Sequence, residues 1–220
     1  GEFRLPTGAV SSRSLEMLLR RYTLGTRQLR DFDALPTPFR AVATDMENGQ
    51  PVVLQRGDLA AALRASMSVP GVFAPLEMDG RILGDGGLVN NLPVDVARQL
   101  GADAVIAVNI GTPLAGRETL GSVIGVSAQM INILTEQNVQ RSLASLTPRD
   151  LLLAPPLGRL TVADFDKASD LVALGRDFAA QAAPELARFA VGAADYEAWR
   201  GRRREAGGAL QPPSQLAFVG

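Results

Sequence analysis

Two blocks decide how this sequence reads: Ala65-Ser66-Met67-Ser68-Val69-Pro70-Gly71-Val72-Phe73-Ala74-Pro75 and, a few residues on, Arg81-Ile82-Leu83-Gly84-Asp85-Gly86-Gly87-Leu88-Val89-Asn90-Asn91-Leu92-Pro93. Arg81-Ile82-Leu83 reads as a short strand running into Asp85-Gly86-Gly87. A carboxylate at the end of a strand, followed by two glycines, sits in a turn where other backbone can approach closely. Asn90 or Asn91 is the candidate cap of a following helix with Pro93 in its first turn. A helix N-terminus favours negative charge nearby. An ordinary Asp, with a pKa of about 3.9, is a poor base toward a hydroxyl. Partial desolvation, a direct hydrogen bond and donors for a developing oxyanion would make it a usable one.

Working outward, the pattern alternates strands and helices. Upstream, Leu15, Leu18, Leu19 and Tyr22 follow helical spacing over residues 13–23, with Ser11 or Ser12 as cap. Phe39 to Asp45 and Val52-Val53-Leu54 read as strands joined by an Asn48-Gly49 hairpin turn. Asp45 is expected to serve that turn by hydrogen bonding. Asp58 is the candidate cap of an Ala/Leu-rich helix over 59–67, ended by Pro70, Gly71 and Pro75. Downstream, Gly101 suits a helix end, and Ala104 to Val108 is wholly apolar, as in a strand buried on both faces of a parallel sheet. Residues 120–146 read as a long helix, Leu151-Leu152-Leu153 as another buried strand, and 166–190 as helical with Leu171, Leu174, Phe178 and Ala182 in one stripe. This order implies an α/β layered domain. Residues 201–213 read as a linker and 214–220 as the possible start of a further module; there is no internal repeat.

Composition excludes several chemistries. The chain has 220 residues, 46% of them hydrophobic, enough for one sizeable core. Its formal net charge is -1, and no basic bias points to nucleic acid. There is no Cys and no His. A thiol nucleophile, a Cys- or His-ligated metal and a Ser-His-Asp triad are therefore impossible within it. No apolar run is long enough to span a membrane, and no signal-peptide pattern opens the chain. It begins with Gly1-Glu2-Phe3, so the natural start is expected elsewhere.

The two opening blocks, in this order and separation, resemble the patatin-like phospholipase family. The resemblance extends from about Leu5 to Arg200. It implies a three-layer α/β sandwich with a central, mostly parallel sheet. It implies a lipid acyl hydrolase working through a Ser–Asp dyad, with Asp85 as the aspartate and no cofactor or metal. Gly86, Gly87, Asn90, Ser66 and Pro70 are the supporting motif residues. The implied partners are a phospholipid or other acyl-ester lipid and a membrane surface. The family's serine lies in a G-x-S-x-G elbow, with a Gly-rich oxyanion loop further upstream, and this chain has neither. Gly121-Ser122-Val123-Ile124-Gly125 has its serine in the wrong place. The chain therefore reads as the C-terminal part of the domain over 1–200, expected to be inactive alone, with its N-terminal part as a further partner. A bare sheet edge and an exposed apolar face should follow. Some bacterial relatives imply secretion or an outer-membrane location; a cytoplasmic one is the alternative.

Other readings stand beside this one. A catalytically inactive lipid- or membrane-binding module of the same fold would also lack the serine. A nucleotide-binding domain fails for want of a Gly-rich strand-to-helix fingerprint. Ser66 and Ser68 lack an elbow and read as structural. Met67, Met78 and Phe73 read as core. Met130, Ile131, Ile133 and Leu134 form an apolar helix face that is either core or a membrane- or dimer-facing surface. Arg200, Arg202, Arg203 and Arg204 read as a solvated linker or, alternatively, a headgroup contact.

Overall fold

Local signals place most of the elements. The computed structural model describes residues 12–111, 114–158, 160 and 165–206. They form an α/β arrangement in two units: the described residues of 12–43, 53–85 and 191–206, and those of 44–52 and 86–190.

The first unit starts with helix α1 (Ser12–Tyr22). Ser12 lies inside the helix, and Ser11 lies outside the described residues. Arg20 of α1 bridges Glu16 at 2.8 Å and Asp58 at 2.9 Å. The Asp58 carboxylate also caps helix α2 (Leu59–Ser66) by accepting the Ala61 N–H at 3.1 Å. Ala60, Ala62 and Ala65 of α2 are buried, as are Phe32, Leu83 and Ala41 to Ala43 of this unit. Small alanines let a helix approach a sheet closely. The sheet has the order β2-β1-β4-β3, built from β1 (Ala41–Asp45), β2 (Pro51–Leu54), β3 (Leu76–Met78) and β4 (Arg81–Asp85). β3 and β4 are antiparallel, with Leu76 opposite Leu83 and Met78 opposite Arg81. Asp79 (φ 51°) and Gly80 (φ 72°) make the turn between them. The expected strand before Asp85 is thus one arm of a hairpin.

The hairpin tip 44–52 belongs to the second unit. Gly49 takes φ 70° but Asn48 does not lie at positive φ, so the strands are joined by a longer loop, residues 46–50, rather than by the two-residue Asn-Gly turn. Asp45 is buried; its carboxylate accepts the Glu47 N–H at 3.0 Å and the Asn48 side-chain amide at 3.2 Å. Its expected turn role holds.

Beyond Asp85 come α3 (Gly87–Asn90) and α4 (Val94–Gln99). Neither Asn90 nor Asn91 caps α4, contrary to expectation. Asn90 ends α3, and Pro93 precedes α4 rather than sitting in its first turn. Gly101, at φ 88°, does end the α4 segment. The core here is Leu92, Val94, Val105, Ala107 and Val139. Strands β5 (Ile106–Val108) and β6 (Leu151–Leu153) pair in parallel. They form a separate two-stranded sheet, so the strands of the described residues fall into two sheets rather than the single, mostly parallel one expected. Nor is β5 buried on both faces: Ala107 is buried, but Ile106 and Val108 are 44% and 51% exposed. In β6, Leu151 is buried and Leu152 exposed.

Asp150, just before β6, is the electrostatic anchor of this unit. Its side chain accepts the amides of Thr147 and Val105 at 2.7 and 2.8 Å and the Thr147 hydroxyl at 2.8 Å. Both its oxygens take Arg98 Nη2 at 2.6 Å. The Thr147 amide is the largest cause holding this carboxyl well below the usual range; desolvation opposes it, and the Thr147 hydroxyl, the Val105 amide and Arg98 add to the lowering.

Helix α5 (Val123–Ala144) is capped by Ser122, whose hydroxyl accepts the Gly125 N–H at 3.0 Å. The serine of the Gly/Ser run is therefore a cap. Met130, Ile133 and Leu134 are exposed, so they are not core. Helix α6 (Ala168–Gln181) turns Leu171, Leu174 and Phe178 to its less exposed side, and Ala182 beyond it is buried. A short helix α7 (Ala183–Leu186) follows. Helix α8 (Ala193–Ala206), which belongs to the first unit, runs through 201–206, where a linker was expected. Within it Arg200 pairs with Glu197 at 3.4 Å and Arg203 lies over the Trp199 ring at 4.6 Å. Residues 207–213 and the expected module at 214–220 lie outside the described residues. No helix of the described residues is long and apolar enough to cross a membrane.

Candidate active site

Asp85 closes strand β4 and is partly exposed. Its N–H donates to the Ser68 carbonyl at 3.1 Å, which fixes the backbone that carries the carboxylate. The block 65–75 thus lies against the end of β4, and the two sequence blocks meet in space. Within the first block, Ser66 Oγ donates to the Val42 carbonyl at 2.6 Å and ties the end of α2 to β1. Ser68 is buried, and its hydroxyl donates to the Arg64 carbonyl at 3.0 Å. Both serines are engaged with protein, as their structural reading requires. Pro70 and Gly71 (φ 82°) lie in a turn closed by the Val72 N–H on the Val69 carbonyl at 3.0 Å. Pro followed by a residue at positive φ is what such a turn demands. Phe73 is core; Met67 is 39% exposed and Met78 only partly covered.

The turn after Asp85 is held within the second unit. The Gly86 carbonyl accepts the N–H groups of Val89 and Asn90 at 3.1 and 2.9 Å. Asn138, 3% exposed on α5, is the residue that sequence reasoning missed. Its Oδ1 accepts the Asn91 N–H at 2.8 Å, and its Nδ2 donates to the Gly87 carbonyl at 2.9 Å. One carboxamide so grips both ends of α3. Nothing in local sequence marks it, because its partners are 47 and 51 residues away. Asn90 does not cap a helix; its Nδ2 donates to Asp95 Oδ1 at 2.8 Å. A groove of about 580 Å³ is lined by Asn90, Asp95, Gln137, Asn138, Arg141 and others. Asp85 is not in its wall, so the groove is not assigned to the chemistry at that carboxylate.

The family model for patatin-like phospholipase matches residues 3–98, which include both blocks and Asp85. This stretch is similar to the patatin-like phospholipase family. Similar proteins carry related names. An uncharacterized NTE family protein of Mycobacterium tuberculosis is 49% identical over 84 residues, 38% of this chain and 23% of that protein. A patatin-like phospholipase domain-containing protein of Caenorhabditis elegans is 32% identical over 169 residues, 66% of this chain and 12% of that protein. Mouse patatin-like phospholipase domain-containing protein 7 is 44% identical over 85 residues, 38% of this chain and 6% of that protein. The chain thus matches less than a quarter of the length of each of these relatives. The patatin-like segment ends within α4, so the long α5 with Asn138 lies beyond it.

Proposed function

We propose that this chain supplies the aspartate half of a Ser–Asp dyad in a lipid acyl hydrolase. The serine comes from a G-x-S-x-G elbow upstream of Gly1 in a longer protein. The reading is carried by one observation: Asp85 sits at a strand end, anchored through its amide, before Gly86-Gly87 and inside the family-matched stretch.

In this mechanism Asp85 takes the proton of the serine hydroxyl as the oxygen attacks the acyl carbonyl. It returns that proton to the departing alcohol or lysolipid oxygen, leaving an acyl-serine. Water then attacks the acyl carbon, giving its proton to Asp85, and the serine leaves as an alkoxide that recovers the proton. Two glycines after Asp85 leave room for the serine-bearing backbone to come close. The substrate class is an acyl-ester lipid, and the reaction takes place at a lipid surface.

The upstream segment would also cover apolar surface. Ile106, Val108, Ile110 and Leu152 are all more than 40% exposed. Among the described residues, β5 and β6 each have one unpaired edge. The bare-edge expectation and this exposure support a missing partner segment. The exposed Met130, Ile133 and Leu134 are offered to the same segment or to lipid.

Fatty-acid release from phospholipid vesicles tests the proposal. The longer protein should release it, and residues 1–220 alone should not. Release by 1–220 alone would remove the split-dyad reading. No release by the longer protein, folded and at equal concentration, would favour the inactive lipid-binding module.

A further inference from the structure

Arg64 stands in the last turn of α2, a helix otherwise made of Ala, Leu and Ser, and is only 4% exposed. A buried guanidinium is costly unless its donors are satisfied, and Leu or Met would fill such a helix face without that cost. Its neighbours say what it does there. Arg64 Nη1 donates to Ser68 Oγ at 2.7 Å, and Nη2 donates to the Ala74 carbonyl at 3.0 Å. The guanidinium carbon lies 5.2 Å from the centre of the Phe73 ring. One side chain therefore holds both ends of the loop from Ser68 to Ala74. Ser68, 1% exposed, passes that hold on, because its carbonyl accepts the Asp85 N–H at 3.1 Å.

We propose that Arg64 is a positioning residue for Asp85, setting the end of β4 through the Ser68–Ala74 loop and the Ser68 carbonyl. The inference rests on Asp85 being the base of the proposed dyad. The planar fork matters, since it reaches two acceptors in fixed directions while a lysine ammonium offers only a point charge. Desolvation pushes the Arg64 guanidinium below its ordinary value and the Glu16 charge acts the other way. An arginine nonetheless stays charged at any working pH, so the hold does not titrate.

The test uses the longer protein that carries the serine, with active sites counted by a fluorophosphonate and kcat expressed per counted site across pH. A base misplaced by about 1 Å loses on the order of 10²-fold, so Arg64→Met should lose about that in kcat with little change in KM. The acid limb of its pH profile should move, because the Asp85 carboxylate has a new environment. Arg64→Lys should recover part of the loss. Ser68→Ala should lose less, and combining it with Arg64→Met should add little, as residues in one path do. Wild-type kcat per site and an unmoved acid limb in Arg64→Met would overturn the inference, whatever happens to Tm. Should Arg64→Met fail to fold, the same result in both Arg64→Lys and Ser68→Ala would overturn it. Asp85→Asn separates the two levels. An active Asp85→Asn removes the dyad itself; an inactive one beside fully active Arg64 variants removes only the role of Arg64.

Discussion

Asp150 is held by partners far along the chain: Arg98 and Val105 lie 52 and 45 residues away. Its depressed pKa fixes a sign. The native state keeps Asp150 ionised to lower pH than the unfolded chain does. Its stabilisation is thus fully present above the ordinary carboxylate pKa of about 3.9 and is lost as pH falls through and below it. Asp150→Asn should lower Tm by roughly 5 °C or more at neutral pH. It should also flatten the fall of Tm with acid, as followed by calorimetry. An unchanged Tm and an unchanged acid slope would contradict the anchor role. By contrast, Asp85→Asn should leave Tm within a few degrees while kcat falls by about 10² to 10⁴, the share a positioned base supplies.

Hairpins and caps show how far element reading reaches. The Asp58 cap was legible because one short-range rule decides it, whereas the Asn48-Gly49 pair marked where the strands reverse but not the longer loop that joins them. Asp79-Gly80 carries the same kind of hairpin signal, yet the arm Leu76–Met78 was missed because it is only three residues long. Gly80, at φ 72°, meets no atom within 4 Å where a Cβ would stand, so the cost of a side chain there is conformational, not steric crowding. Gly80→Ala should therefore destabilise the hairpin by about 1–2 kcal/mol, measurable by urea unfolding. A loss nearer zero would show that the turn relaxes. The α3 segment depends instead on Asn138. Asn138→Leu removes its hydrogen bonds to the Asn91 N–H and the Gly87 carbonyl, which should cost about 1–3 kcal/mol in the same measurement, since each hydrogen bond contributes roughly 0.5–1.5 kcal/mol net. The misread caps at Asn90 and Asn91 belong to this element too. An Asn before a helical pattern signals a cap only if the backbone is not already inside another turn, and here α3 occupies it.

At the scale of the molecule, two expectations from the sequence diverge over burial: strands suited to cover on both faces, and an exposed apolar face. Ala104 to Val108 and Leu151 to Leu153 are apolar as a doubly covered sheet requires, and they do form parallel strands, but both strands expose large side chains. Hydrophobicity reports what a strand is suited to contact, not whether the contacting segment is present. If an upstream segment covers this surface in the longer protein, then 1–220 should bind a hydrophobic dye such as ANS. Adding the upstream segment in trans should reduce that binding and raise Tm. Dye binding unaffected by the segment would count against the missing-partner reading. The central claim is that Asp85 activates a serine carried elsewhere, and a fluorophosphonate probe reads it most directly. In the longer protein the label should fall on the serine of the upstream G-x-S-x-G, located by mass, and Asp85→Asn should abolish labelling while the fold persists. Labelling of Asp85→Asn at the wild-type rate would contradict the claim.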